Sequence, residues 1–494
     1  MTEAGCDFQY ESCIFGENSK DMEMKNDKEA DIRAEELISR ALKVLPFSPT
    51  EEQTSVLRSL AGFIVGAHEK GVFVLNGYAG TGKTSIVGAM IKAMDSLKRK
   101  VVVLAPTGRG ANVASRMSAH PASTIHRRLY RPDLSDPSGR HYVMSRNESG
   151  DTLFIIDEAS LISDGGNSRD TTLLSQVVNY VYSAPGCRMM LMGDDAQLPP
   201  VGQSSSSAMD PDRLRALGLE PVHHVLDLPM RQTAESGIIY NATYVRHLLL
   251  HPGVALLPKI HATGFDDVRI VDSRDLPDML SESYSSVGKD ETLIITRANW
   301  RANDFNKAIR RQVFDAESPL ERGDRIVITK NDYYWAKRNK AGRLIANGDM
   351  AEVTWTGATE KMYGRYFTEV ELLMADGRTL NAQLMLRSLV AEGASIPRDE
   401  MDRFYNIVMA NSEGTDMERI TSALENPYYN ALQAKYAYCV TGHKAQGGEW
   451  KHVYIDMGGI SADAYGPDFY RWLYTAITRA TERVIFINPS LPVV

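Results

Sequence analysis

The chain has 494 residues, 43% hydrophobic and 24% charged, with a formal net charge of −8. That length predicts two to four domains with ordinary globular cores. The acidic balance excludes a small basic nucleic-acid module, but not a large enzyme with a local basic groove, because groove charge matters more than the sum. Cys6, Cys13, Cys187 and Cys439 carry no metal spacing and read as reduced thiols of a cytosolic protein. The opening MTEAGCDFQYES has neither a basic region nor an apolar stretch, so no secretory leader is expected. No run approaches the roughly 18 apolar residues of a membrane span.

Residues 1–26 are polar and acidic and read as loosely ordered. Residues 27–45 place Ile38, Leu42 and Leu45 on one helical face, and Pro46 ends that helix. SPTEEQ (48–53) reads as a capping box that opens the next one. A βα alternation follows. GVFVLNG (71–77), VVVLAPT (101–107), LFIIDEA (153–159), RMMLMGD (188–194) and VLDLPMR (225–231) are continuous apolar runs, as buried parallel strands are. A second series runs through TLIIT (292–296), DRIVIT (324–329), YAYCVT (436–441), HVYIDM (452–457) and RVIFIN (483–488). The expectation is an α/β chain of two tandem units. Two segments break the pattern. Residues 127–150 are rich in Arg, Pro, Ser and Gly and suit a hairpin insertion in the first unit. Residues 331–427 mix short alternating strands with a helical stretch near 398–411, and suit a small β-barrel inserted into the second.

GYAGTGKTS (77–85) has the spacing of a phosphate-binding loop, between a strand and a helix as the motif requires. Gly77, Gly80 and Gly82 let backbone N–H groups of Thr81 and its neighbours curl around phosphate oxygens, and the following helix adds its positive end. Lys83 is expected to reach the β and γ phosphates, and Thr84 to hold Mg²⁺, with Ser85 beside it. A metal partner is needed at the end of a neighbouring strand. IIDEAS (155–160) supplies Asp157 for Mg²⁺, and Glu158 to orient and deprotonate the attacking water.

With these residues in place, residues 48–494 resemble the superfamily 1 helicases, and within them the RecD/Dda type of superfamily 1B. The resemblance rests on GYAGTGKTS, APTGRGA (105–111), STIHRRL (123–129), DEAS, GDDAQLPPVG (193–202), MRQ (230–232), TGHKAQGGEW (441–450) and YTAITRA (474–480), in that order. It implies two tandem RecA-like P-loop domains: a first at 47–260, and a second built from 261–330 and 428–494 around an SH3-like insertion at 331–427. It implies that Gln53 recognises adenine, beside its capping role, and that Gln197 senses the γ-phosphate. Arg231 and Arg479 would be fingers on the transferring phosphoryl group. Gln446, Gly447 and Gly448 would approach ATP, and Glu449 its ribose. Ala445 stands where this block often carries Ser.

The strand-gripping residues implied are Thr107, Arg109 and His126 in the first unit, and Thr441 and His443 in the second. Tyr130 or Tyr142, in the hairpin insertion, would be a wedge against the first base pair. DYYWAKRNKAGR (332–343) interleaves aromatics with Lys337, Arg338, Lys340 and Arg343, and reads either as a nucleic-acid contact or as a solvated loop. The activity implied is ATP- and Mg²⁺-dependent 5′→3′ movement on single-stranded DNA and unwinding of duplex or forked DNA. The protein would be a cytoplasmic monomer with replication or recombination proteins as partners and no membrane contact. An RNA helicase of the same superfamily and a non-motor ATPase switch stand as alternatives. A fused nuclease is not expected, since no His-x-His cluster lies outside the motor motifs.

Overall fold

The computed structural model describes residues 28–66, 69–132, 142–163, 172–229, 235–251, 258–339, 345–458 and 464–494. A helix over 28–44 agrees with the predicted one, and the segment 1–26 lies outside the described residues. The next helix, Glu51–Val65, is opened by a complete capping box between Thr50 and Gln53.

The first lobe has strands β1 (Gly71–Gly77), β2 (Lys100–Ala105), β3 (Ala122–Thr124), β4 (Tyr130–Pro132), β5 (Tyr142–Met144), β6 (Thr152–Ile156), β7 (Arg188–Gly193) and β8 (Glu220–Leu226). Six of them form one parallel sheet in the order β3-β2-β6-β7-β1-β8. Every residue of β1 and β6 is buried, as strands covered by helices on both faces must be. The strand expected at VLDLPMR forms earlier, over Glu220–Leu226. The His223–His224 pair hides it in the sequence: the His224 ring stacks on Phe73 at 5.3 Å and meets Ser59 Oγ at 2.7 Å. Strands β4 and β5 pair antiparallel, Tyr130 opposite Met144, forming the stem of the expected hairpin; residues 133–141 lie outside the described residues.

The second lobe begins with β9 (Val268–Val271) and β10 (Thr292–Thr296). The chain then enters an antiparallel sheet of β11 (Arg325–Ile328), β12 (Met350–Thr356), β13 (Glu360–Met362), β14 (Arg365–Met374), β15 (Thr379–Met385) and β16 (Ala434–Tyr436). It returns through β17 (Cys439–Thr441), β18 (Trp450–Asp456) and β19 (Ala480–Ile487) to a parallel sheet ordered β17-β10-β18-β19-β9. DRIVIT and the start of YAYCVT, expected in the α/β series, therefore belong to the antiparallel sheet, where β11 pairs with β12 and β16. YAYCVT changes sheet midway. Tyr438, between its two strands, has its hydroxyl on Asp324 at 2.9 Å and fixes the crossover. An apolar run carries no mark of such a change.

Candidate nucleotide cleft

All the first lobe's chemistry sits at the carboxyl ends of its parallel strands, where α/β sheets place their ligands. The loop after β1 carries the phosphate motif. Gly80 and Gly82 have φ of +75° and +76°, the left-handed region open to glycine. A Cβ at Gly77 would stand 3.0 Å from Lys83 Cδ. The Lys83 ammonium donates to the carbonyls of Gly77 (3.2 Å) and Gly193 (2.8 Å), so it spans from its own loop to the end of β7. Gly82 caps the helix Lys83–Ser96 with no side-chain bond, which leaves the helix N-terminus and Thr84 facing the loop. Gln53 is buried against this loop: its amide donates to the Thr81 carbonyl at 2.8 Å, while its Oε1 accepts from the Thr50 N–H.

Asp157 follows β6 and is held by the Glu158 N–H at 2.8 Å. Burial pushes its carboxyl up to about 6, with Glu158 and Glu449 adding to the shift and Lys83 opposing it. Glu158 itself sits at φ +52°, a strained conformation of the kind that gathers at functional sites. Its Oε2 is buried without a hydrogen-bond partner. These residues fit Mg²⁺, which takes one or two protein oxygens and completes its shell with phosphate and water. Thr84 Oγ1 and Asp157 would supply the ligands, and the orphaned Glu158 oxygen has the acceptor chemistry of a general base. No larger cluster of metal-ligating side chains occurs among the described residues, and this mode needs none.

After β7, Asp194 is fully buried, and burial raises its carboxyl pKa, with Lys83 opposing. It accepts from Ala196 N–H (3.0 Å) and the Gln197 amide (3.4 Å). Gln197 Oε1 is buried without a partner, a free acceptor on the residue expected to sense phosphate.

The second lobe closes over this cleft through one helix, Pro467–Ile477. The Tyr474 hydroxyl accepts from Ala79 N–H of the phosphate loop at 2.9 Å and donates to Asp194 Oδ2 at 2.7 Å. Burial raises its pKa well above the usual tyrosine range, so it stays a donor. Thr475 Oγ1 accepts from Leu198 N–H at 2.9 Å, and Arg471 donates to the Asp195 carbonyl. The Gln446 amide donates to the Leu198 carbonyl at 2.6 Å. None of these seams was expected except the presence of Gln446. Tyr474 lies within the YTAITRA motif, where attention falls on the arginine; its burial on the helix's apolar face was the available signal.

Of the two expected fingers the described residues include only Arg479, which is not on the phosphate loop. Arg231 lies outside the described residues. Arg479 is buried within its own lobe, donating to the carbonyls of Thr475 (3.2 Å) and Gly448 (3.1 Å) and to Thr478 Oγ1 (3.2 Å). Glu449 is joined to the first lobe through its backbone carbonyl, which accepts from Arg109 at 2.7 Å.

The expected strand contacts divide. Thr107 caps the helix Gly108–Ser118, accepting from Gly110 N–H at 3.0 Å. That helix start, with Thr124 and Arg127, faces Asp349, Asp376 and Arg378 of the antiparallel sheet across an open cleft. His126 stacks on Tyr130 at the hairpin base, centroids 5.7 Å apart. The Tyr130 hydroxyl is bound to Gln176 of the lobe, so Tyr130 is anchored rather than projecting. Tyr142 is in β5 opposite Pro132, and its side chain lies outside the described residues. Thr441 lines a small cleft with Asn299, Asn303, Lys435 and Lys444, and His443 is exposed beside it. In the 332–343 segment Tyr334 and Trp335 donate to the Glu425 and Asn430 carbonyls, while 340–343 lie outside the described residues. Arg109 departs most: its guanidinium crosses into the second lobe and lies over Trp450, 3.8 Å from the ring centroid.

Comparison with known proteins bears on this arrangement. An AAA domain family model matches residues 39–236, and a UvrD-like helicase C-terminal domain model matches residues 436–487. The ATP-dependent RecD2 DNA helicase of Deinococcus radiodurans is 28% identical over 453 residues, covering 88% of this chain and 48% of the relative. The chain thus spans about half the length of that relative. An uncharacterized protein of Acanthamoeba polyphaga mimivirus is 22% identical over 508 residues, covering 89% of this chain and 99% of that protein. Among solved structures, a Pif1 helicase from Bacteroides in complex with ADP-AlF3 and ssDNA overlaps loosely, with a TM-score of 0.45 at 17% identity over 90% of this chain and 93% of that one.

Proposed function

We propose, for a chain that belongs to the RecD-like superfamily 1B helicases, that it is an ATP-dependent DNA helicase moving 5′→3′ on the strand it tracks. The observation that carries this reading is the cleft. Lys83, Asp157 and the orphaned Glu158 oxygen lie on one lobe, and the Tyr474 hydroxyl from the other lobe is bonded to the phosphate loop itself. ATP entering that loop competes for the Ala79 N–H and for the Lys83 ammonium. It therefore alters the seam between the lobes as it binds. Hydrolysis and release restore the seam, and a lobe pair that opens and closes around a gripped strand moves along it.

In this reading Mg²⁺, held by Thr84 and Asp157, neutralises charge on the phosphates when bound. Glu158 takes the proton of the attacking water, and Gln197 accepts from that water through its free Oε1 or donates from its amide N–H to the γ-phosphate. Gln53 would turn from the Thr81 carbonyl to adenine. Gln446, Gly448 and Glu449 complete the nucleotide side, and Arg231 and Arg479 supply the fingers once the lobes close further. Thr107 and His126 grip the strand in the cleft facing Asp349 and Arg378, with Thr441 and His443 gripping it on the second lobe. The antiparallel sheet is read as the SH3-like insertion, the β4–β5 hairpin with Tyr142 as the wedge, and the chain as a cytoplasmic monomer working beside replication or recombination proteins. No helix among the described residues is long and apolar enough to cross a membrane.

The test is ATP-dependent opening of two duplexes, one with a 5′ single-stranded tail and one with a 3′ tail. Opening of the 5′-tailed duplex alone is expected. Opening of only the 3′-tailed one overturns the polarity, and opening of neither, with no strand-stimulated ATPase, overturns the motor.

A further inference from the structure

The segment Gly447–Trp450 is held from two directions. On one side Arg479 donates to the Gly448 carbonyl. On the other, Arg109 reaches across from the first lobe: it donates to the Glu449 carbonyl at 2.7 Å and to Met350 Sδ at 3.4 Å, and lies flat on Trp450. The paired glycines exist for this contact. A Cβ at Gly448 would stand 2.8 Å from Arg109 Cδ and 2.6 Å from the Trp450 ring. Gly447, at φ +70°, would bring one to 3.0 Å from Thr107 Oγ1. The first-lobe loop 107–110 is thus seated against backbone that any larger residue would block. The residue is half-buried at the edge of the cleft, and burial pulls its pKa down to about 10, against the opposing pull of the Glu291 carboxylate. A strand phosphate would have to draw it out of that site.

We propose that Arg109 is a positioning residue rather than a strand contact. It couples the strand-gripping loop of the first lobe to the nucleotide-facing segment Gly447–Trp450 of the second. This rests on the motor reading above and assigns its transmission. When a strand settles on Thr107, the loop 107–110 shifts. Arg109 carries that shift to Glu449, which faces the Asp157 site electrostatically, and to Gly448, which holds Arg479. The planar guanidinium suits both the ring and the carbonyl, whereas an ammonium of equal charge does not.

The experiment uses the full chain with oligo-dT as the strand. Strand affinity is measured by fluorescence anisotropy at several salt concentrations, and ATPase is measured with and without oligo-dT. The variants are Arg109→Lys, Arg109→Gln, Trp450→Phe, Trp450→Leu and the pair Arg109→Lys/Trp450→Leu. Both Arg109 variants are expected to bind oligo-dT within about twofold of wild type with an unchanged salt slope, as for a residue off the phosphates. Their strand-stimulated kcat should fall tenfold or more with little change in KM for ATP. Trp450→Phe should retain most of the stimulation, and the double variant should be no worse than its worse single. If Trp450→Leu fails to fold, the Arg109 pair and Trp450→Phe decide alone. Loss of oligo-dT affinity with a salt slope lower by about one makes Arg109 a phosphate contact and overturns the proposal. Full stimulation in Arg109→Lys and Arg109→Gln overturns it too. A wild-type protein without strand stimulation instead fails the motor reading, and the coupling with it.

Discussion

Removing one oxygen atom, in Tyr474→Phe, tests whether the phosphate loop and the second lobe are coupled as the cleft suggests. The hydroxyl makes two bonds across the lobe interface: it accepts from Ala79 N–H at 2.9 Å and donates to Asp194 at 2.7 Å. A neutral hydrogen bond contributes about 1 kcal/mol net and one to a charged group about 1.5–3 kcal/mol. The ring is fully buried, and Phe fills the same space. The seam between the lobes should therefore weaken by about 2–4 kcal/mol, roughly thirtyfold to a thousandfold in population. The freed Ala79 N–H becomes available to phosphate at no cost, so affinity for a fluorescent ADP should hold or rise. Strand-dependent kcat should fall at least tenfold, because nucleotide binding at the Ala79 N–H no longer displaces a bond from the second lobe. Equilibrium binding and steady-state ATPase on oligo-dT read the two effects separately. Wild-type kcat, or a loss of nucleotide affinity with kcat unchanged, would refute the coupling and leave Tyr474 a packing residue.

Other outcomes follow from the same contacts. Glu158→Gln should lower turnover by roughly 10²–10⁴ while retaining nucleotide, and Lys83→Ala should abolish turnover; ATPase near wild type in either would remove the site assignment. Gly448→Ala forces a Cβ to 2.6 Å from Trp450, so it should cost about 1–3 kcal/mol in thermal unfolding and lower strand-stimulated ATPase. Lys435 is buried, and burial lowers its pKa from 10.5 to about 8. The folded protein then holds that proton more weakly than the unfolded chain, so its penalty is full below pH 8 and relieved as pH rises towards 10.5. Lys435→Met removes that penalty, at most about 3 kcal/mol at 1.36 per pH unit, but also the Nζ bond to the Ala391 carbonyl at 2.6 Å, so its unfolding free energy relative to wild type should be most favourable at pH 7 and fall by pH 10. A gap independent of pH would assign the effect to packing instead. Tyr142→Ala should lose unwinding while keeping strand-stimulated ATPase, with Tyr142→Phe near wild type; equal unwinding by both would rule out a wedge.

What the sequence made legible is chemistry concentrated in short stretches of backbone. GYAGTGKTS needs only its own glycines, its own lysine and the strand before it. Asp157 and Glu158 need only to end the strand two places away in the sheet. Gln53 could be placed because its capping box is local. The seam was not legible, because its partners are far apart in the chain: Ala79 and Tyr474 lie 395 residues apart, and Arg109 and Glu449 lie 340 apart. No periodicity encodes such a distance. The sequence also could not place the Arg109 side chain, since an arginine beside Thr107 has the chemistry of a phosphate contact and its contacts with Trp450 and Glu449 are distant in the chain. Only the position of Trp450 shows where the guanidinium goes. The sheet change inside YAYCVT escaped for a related reason. Buried parallel and antiparallel strands use the same apolar residues, and distant side chains mark the turn from one to the other: Asp324 on the Tyr438 hydroxyl, and Asn306 Oδ1 accepting from the Tyr438 and Cys439 N–H groups.

These hidden contacts share a design that bears on how the two lobes communicate. Several groups of the cleft that would meet a nucleotide are satisfied by protein: Lys83 by two carbonyls, Ala79 N–H by Tyr474, and Arg479 by Gly448 and Thr475. The cleft therefore does not gain every interaction with ATP outright, but exchanges internal bonds for bonds to the ligand. Net affinity is lower than a fully vacant site would give. In return, each exchanged bond frees a partner elsewhere: Tyr474 belongs to the other lobe and Gly448 to the segment that Arg109 holds, while the two carbonyls on Lys83 stay within the first lobe. On the proposed motor reading, nucleotide occupancy would change the lobe contacts at Ala79 directly, because there the N–H that would recognise a phosphate is the same one that joins the lobes through Tyr474.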